Sequence, residues 1–126
     1  MYELEDTRYY GYRYVDTAEL DLYGVAGRIL SDLKADQATG TVAQAIVFVL
    51  KVVGNRISVL AHLLPAEMSG EYANSEHTRA RIKTVTARYN WQGKDNKHDV
   101  RFLAEIKVAK VRADRHDGLD IGALVG

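Results

Sequence analysis

His62 follows Ser58 by four positions, and Lys51 and Asn55 precede them at matching intervals. At 3.6 residues per turn, Gln44, Lys51, Asn55, Ser58 and His62 fall on one narrow line along an otherwise apolar cylinder. Such a line would floor a polar pocket, with His62 as general acid or base and Glu67 or Glu71 as its orienting partner. Lys51, His62 and Glu67 are therefore the catalytic candidates, set against the plainer reading of a stripe that simply reaches solvent. Ser58 and His62 lie one turn apart, but that spacing alone does not make a nucleophile and its base, and no strained elbow surrounds the serine. His77, His98 and His116 are scattered, no His-Glu-x-x-His pattern occurs, and there is no cysteine. Disulfides, thiolate catalysis and cysteine-ligated zinc are thereby removed, and neither a metal site nor a cofactor is expected.

A second chemistry lies in the basic segment. Residues 77–116 hold eleven Lys/Arg against four Asp/Glu, whereas residues 1–76 hold six against eleven. Cations interleaved with aromatic rings are what sequence-independent nucleic-acid binding requires. Arg79, Arg81, Lys83, Lys110 and Arg112, with Tyr89 and Trp91, are the candidates for an anion or nucleic-acid surface. The same asymmetry would serve head-to-tail self-association, or packing of the basic segment on the acidic one within a single chain.

A third feature is suited to an interface. Tyr10, Tyr12 and Tyr14 alternate with Gly11, Arg13 and Val15, which on a strand would place three rings on one face. Gly24 and Gly27, with Leu20 and Ser31, form a small-residue strip along a helical pattern, where each glycine costs up to about 1 kcal/mol relative to alanine. Close approach of another backbone, within the chain or from a second copy, would offset that cost. They do not form a phosphate loop, because they fall well inside a patterned helix.

The elements that must position these residues follow from periodicity. Residues 17–36 read as a helix with Asp16 and Glu19 at its start and Ala18, Leu22, Val25, Ile29 and Leu33 on its apolar face. Residues 42–64 read as a second, embedded helix running antiparallel to it, with Thr41 and Gln44 at its start and Pro65 as its stop. The rival for that block is two strands joined at Gly54-Asn55. Residues 78–91 and 100–112 read as a long antiparallel hairpin around the polar run 92–97; the helical alternative groups Ile82, Val85 and Tyr89 on one face. The expected fold is α+β: an N-terminal strand, two antiparallel helices and a C-terminal hairpin. A four-helix bundle is the alternative.

At 126 residues and 47% hydrophobic, the chain fits a single domain, 1–126, with residues 114–126 expected to form a loosely ordered tail. Residues 1–16 are polar rather than a signal pattern, and Lys51, Asn55 and Arg56 interrupt the apolar block, which argues against a lipid span. The expectation is a soluble, intracellular, cytoplasmic protein with no membrane partner. Its leading function is non-catalytic self-association, as a homo-oligomer or with another protein. Nucleic-acid binding by the 77–116 segment is the first alternative, and a small enzyme around His62 the second.

Overall fold

The computed structural model describes residues 7–63 and 75–110. Along them the chain forms β1 (Arg8–Tyr10), a 3₁₀ turn (Tyr14–Thr17), α1 (Leu22–Thr39), β2 (Val47–Val53) and β3 (Arg56–Leu63). Then follow α2 (Ser75–Ala87), β4 (Trp91–Gly93) and β5 (Leu103–Lys110). The architecture is α+β, and the four-helix alternative is excluded by the two sheets. One sheet has the order β2-β3-β5, with β2 antiparallel and β5 parallel to β3; the other is the antiparallel ribbon β1-β4.

The central block is a hairpin, which corrects the expected helix over 42–64. Gly54 takes φ +60° in a two-residue turn, while Asn55 stays out of that region, as a turn with glycine first requires. The β-branched residues Val47, Val49, Val52, Val53, Ile57 and Val59 favour extended backbone. The decisive gain is burial of one whole face. Phe48, Leu50 and Val52 line up with Ile57, Val59, Ala61 and Leu63 on one face, and this face meets both helices. Of the polar line of the helical reading, Lys51, Ser58 and His62 fall on the opposite face, where Lys51 stands directly across from Ser58 and His62 across from Val47; Gln44 lies before β2 and Asn55 in the turn.

The expected hairpin of 78–91 with 100–112 is also corrected. Residues 75–87 are the helix α2, which links β3 to its parallel neighbour β5. Ile82, Val85 and Tyr89, at intervals of three and four, are fully buried. Thr84 and Thr86 look like strand residues but return their hydroxyl protons to the carbonyls of Ala80 and Lys83, at 3.1 and 3.0 Å, and so sit comfortably in the helix. The second half of the expected hairpin is a strand, β5, but its partner is β3.

The first helix begins later than residue 17. Arg101 reaches across to take the Thr17 hydroxyl at 2.9 Å and the carbonyls of Thr17 and Leu20 at 2.5 and 3.3 Å. The Thr17 carbonyl also accepts from the Leu20 N–H at 2.9 Å, a 3₁₀-type rather than an α-helical bond. Asp21 becomes the cap instead, accepting from the Gly24 N–H at 2.9 Å. At the far end Gly40, at φ +82°, closes α1. Gln37 then pins the next loop by donating to the carbonyls of Ala43, Gln44 and Ile46. The core gathers Val25, Ile29 and Leu33 of α1, Ile82 and Val85 of α2, and Tyr89 and Phe102 over the inner face of the sheet.

Candidate functional surfaces

Both helices pack on one face of the three-stranded sheet, so its other face carries none of the described helices. Alternation and register make that outer face a grid of three rows: Val47, Val49, Lys51, Val53; His62, Leu60, Ser58, Arg56; Ala109, Lys107, Glu105, Leu103. Val53 is 67% exposed, Val47 48% and Leu103 43%. The Ser58 hydroxyl donates to Glu105 at 2.7 Å, and this is the chief reason that the Glu105 carboxyl lies below its usual range.

His62 ends the middle row. It is only 7% exposed, and neither ring nitrogen has a hydrogen-bond partner among the described residues. Lys51 is on the same face but four positions along the strand, about 13 Å at the usual rise. Lys51 and His62 therefore share a face without meeting, and Glu67 lies outside the described residues. No group of His, Asp or Glu that would hold a metal occurs among the described residues.

The two free margins of this sheet differ. The residues that flank a two-residue hairpin turn bond to each other, so Val53, Lys51, Val49 and Val47 direct their amides and carbonyls to β3. Phe48, Leu50 and Val52 therefore direct theirs outward. Among the described residues no hydrogen bond reaches those outward groups, and no strand pairs there. On the other margin the Arg79 guanidinium donates to the outward carbonyl of Ile106 at 2.8 Å and guards the edge of β5.

The basic residues singled out by sequence do not form one surface. Arg81 is paired with Asp36 at 2.7 Å, and Arg79 is spent on β5. Tyr89 is buried, and its hydroxyl donates to Asp32 at 2.5 Å beside Arg88, which pairs with the same oxygen at 3.0 Å. Burial first, and that hydrogen bond second, push the Tyr89 phenol up to about 12. Lys83 and Trp91 do meet at one groove, described next. The Lys110 side chain and Arg112 lie outside what is described.

The N-terminal aromatics regroup around the β1-β4 ribbon. Tyr10 and Tyr14 come within 5.0 Å of each other, centroid to centroid, and both pack edge-on against Trp91 at 6.1 and 5.6 Å. Tyr12, expected beside them, sits in a turn and is exposed, because the strand stops at Tyr10. Arg8 lies 4.3 Å over Trp91 and forms a double hydrogen bond to Asp99, whose carboxyl it holds below the usual range. Asn90 fixes the ribbon to β5. Its carbonyl oxygen accepts from the amides of Trp91, Arg101 and Phe102, and its amide donates to the Phe102 carbonyl.

Two hollows open on this ribbon. One, about 540 Å³, lies between Tyr9 and the 94–98 loop. The other, about 360 Å³, lies between Tyr10, Trp91 and the end of α2 at Lys83 and Thr86. Tyr9 and Gln92 border both. Asn90, Tyr9 and Gln92 carried no periodic or motif signal that would have singled them out in the sequence.

A Cβ added at Gly24 would come within 3.1 Å of the Leu20 side chain, whereas one at Gly27 would face open space. No described helix is long and apolar enough to cross a membrane. No protein-family model, curated protein or solved structure matches the chain.

Proposed function

We propose that the protein is a non-catalytic, self-associating interaction protein whose copies join along the free edge of β2. The observation that carries this reading is the contrast between the two sheet margins: β5 is guarded by Arg79, while among the described residues nothing bonds to the outward backbone groups of Phe48, Leu50 and Val52 on β2. A seven-residue, valine-rich edge of this kind is a template for another strand.

A second copy is the occupant that fits the side chains. A twofold axis brings β2 antiparallel to itself. Centred on Leu50, it opposes Phe48 to Val52, Val49 to Lys51 and Val47 to Val53. Leu50 meets Leu50 as a hydrogen-bonded pair, and no like charges face one another. The result is a six-stranded sheet in which the exposed Val47 of each copy lies beside the exposed Val53 of the other, and Val49 lies along the Lys51 stem.

Light scattering after size exclusion tests this reading. The expected mass is twice the 14.1 kDa of one chain, falling toward it on dilution. A single-chain mass at every concentration from 1 to about 500 µM would sink it, since edge pairing with a standard-sized interface should dimerise within that range.

A further inference from the structure

The β1-β4 ribbon carries a different feature, on a part of the molecule the proposed dimer does not use. Tyr9 is 66% exposed and stands between the two hollows, with the Lys94 ammonium 5.1 Å from its ring centroid. Lys83, Lys94 and Lys97 border these hollows, against one carboxylate, Asp95. None of the three lysines has an acidic partner among the described residues, unlike Arg8, Arg81 and Arg88, which are paired nearby. Gln92, shared by both hollows, has a side-chain amide engaged by nothing else described.

We propose that this double groove binds single-stranded nucleic acid. Tyr9 offers one base the ring face away from Lys94, Gln92 offers a donor and an acceptor to a base edge, and the three lysines take the phosphates on either side. A paired base has no free face to give Tyr9, so the groove should prefer a single strand to a duplex. Trp91 lines the second hollow and is the only tryptophan in the chain, so its fluorescence reports occupancy.

The test titrates the full chain with a twelve-nucleotide oligothymidylate and with a twelve-base-pair duplex at 50 and 200 mM salt. The single strand should change Trp91 emission and bind more tightly than the duplex. Three phosphate contacts should weaken binding roughly 20-fold between the two salt concentrations. Tyr9→Ala should weaken it about tenfold or more, and Lys94→Gln should lower the salt slope by about 0.7. Lys107→Gln, on the outer sheet face, should leave binding unchanged. Absence of binding at 50 mM salt, equal affinity for the duplex, or affinity untouched by Tyr9→Ala in a variant with native circular dichroism would overturn the proposal. So would a proline-rich peptide that binds salt-independently and displaces the oligonucleotide, because aromatic grooves also accept such peptides. The outcome does not depend on the dimer, since a variant held monomeric at β2 should bind equally well.

Discussion

Arg81 on α2 holds both carboxylate oxygens of Asp36 on α1, Nε to Oδ2 at 2.7 Å and Nη2 to Oδ1 at 2.9 Å. The Asp36 carbonyl meanwhile accepts from the amides of Thr41 and Val42 as the helix ends. One residue thus both terminates α1 and ties it to α2. Removing a partner from a half-buried pair leaves the other charge with its desolvation cost unmet. Asp36→Asn should lower unfolding free energy by about 2 kcal/mol in a urea titration. A loss below about 0.5 kcal/mol would show that the clamp contributes little beyond an ordinary surface pair.

Two glycines should respond in opposite directions to alanine. A Cβ at Gly11 would collide with the carbonyl oxygens of Ala87 and Arg88, where the ribbon crosses the end of α2. Gly27 faces open space on an exposed helical position. Thermal melts should show Gly11→Ala strongly destabilised and Gly27→Ala stabilised by up to about 1 kcal/mol. If Gly27→Ala weakened self-association instead, the small-residue strip and not β2 would be the contact between copies.

His62 should be replaceable. A buried imidazole with neither nitrogen bonded carries an uncompensated desolvation cost, and an apolar side chain of similar size would not. His62→Leu should leave stability unchanged or raise it by about 1 kcal/mol. A marked loss of stability would mean that His62 has a partner in solution.

Tyr89 links stability to alkaline pH. Its phenol titrates near 12 in the folded chain and near 10 when unfolded, so its stabilising contribution is complete below pH 10. Between pH 10 and 12 the unfolded state loses the proton that the folded state keeps, and stability falls by roughly 2–3 kcal/mol. Tyr89→Phe should flatten that fall, as read by urea midpoints across the range. An unchanged slope would assign it to other groups.

The α+β class was legible because the apolar block, the capped first helix and the β-branched C-terminal run each carry a strong local pattern. Which segment takes which state was less so. The 42–64 block satisfies helical and strand periods together, and the choice is made by burial of Phe48, Leu50 and Val52 in a core to which both helices, outside the block itself, contribute. Residues 78–91 are misleading locally, since Thr84 and Thr86 favour strands until their hydroxyls find backbone carbonyls within the helix. α1 starts at Asp21 and not at Asp16, and the turn before it is held by Arg101, eighty-four positions from Thr17, a contact that no local signal announces. Among the functional candidates, the opposed charge blocks concealed pairing: Arg81 and Arg88 meet Asp36 and Asp32 within the chain. Lys83 and Trp91 remain as neighbours of an exposed tyrosine, Tyr9, that periodicity had not distinguished.

The edge-to-edge register of β2 offers the most direct measurement, because it sets Val49 against Lys51 of the second copy twice across the axis. Val49→Lys should oppose two lysine pairs and return the chain to a single-copy mass in light scattering, with its fold kept in circular dichroism. Adding Lys51→Glu to that variant turns both repulsive pairs into attractive ones and should restore the dimer. Recovery of the dimer mass in the double variant is the result the β2 pairing requires. A Val49→Lys chain that stays dimeric, or a double variant that stays monomeric, would contradict it.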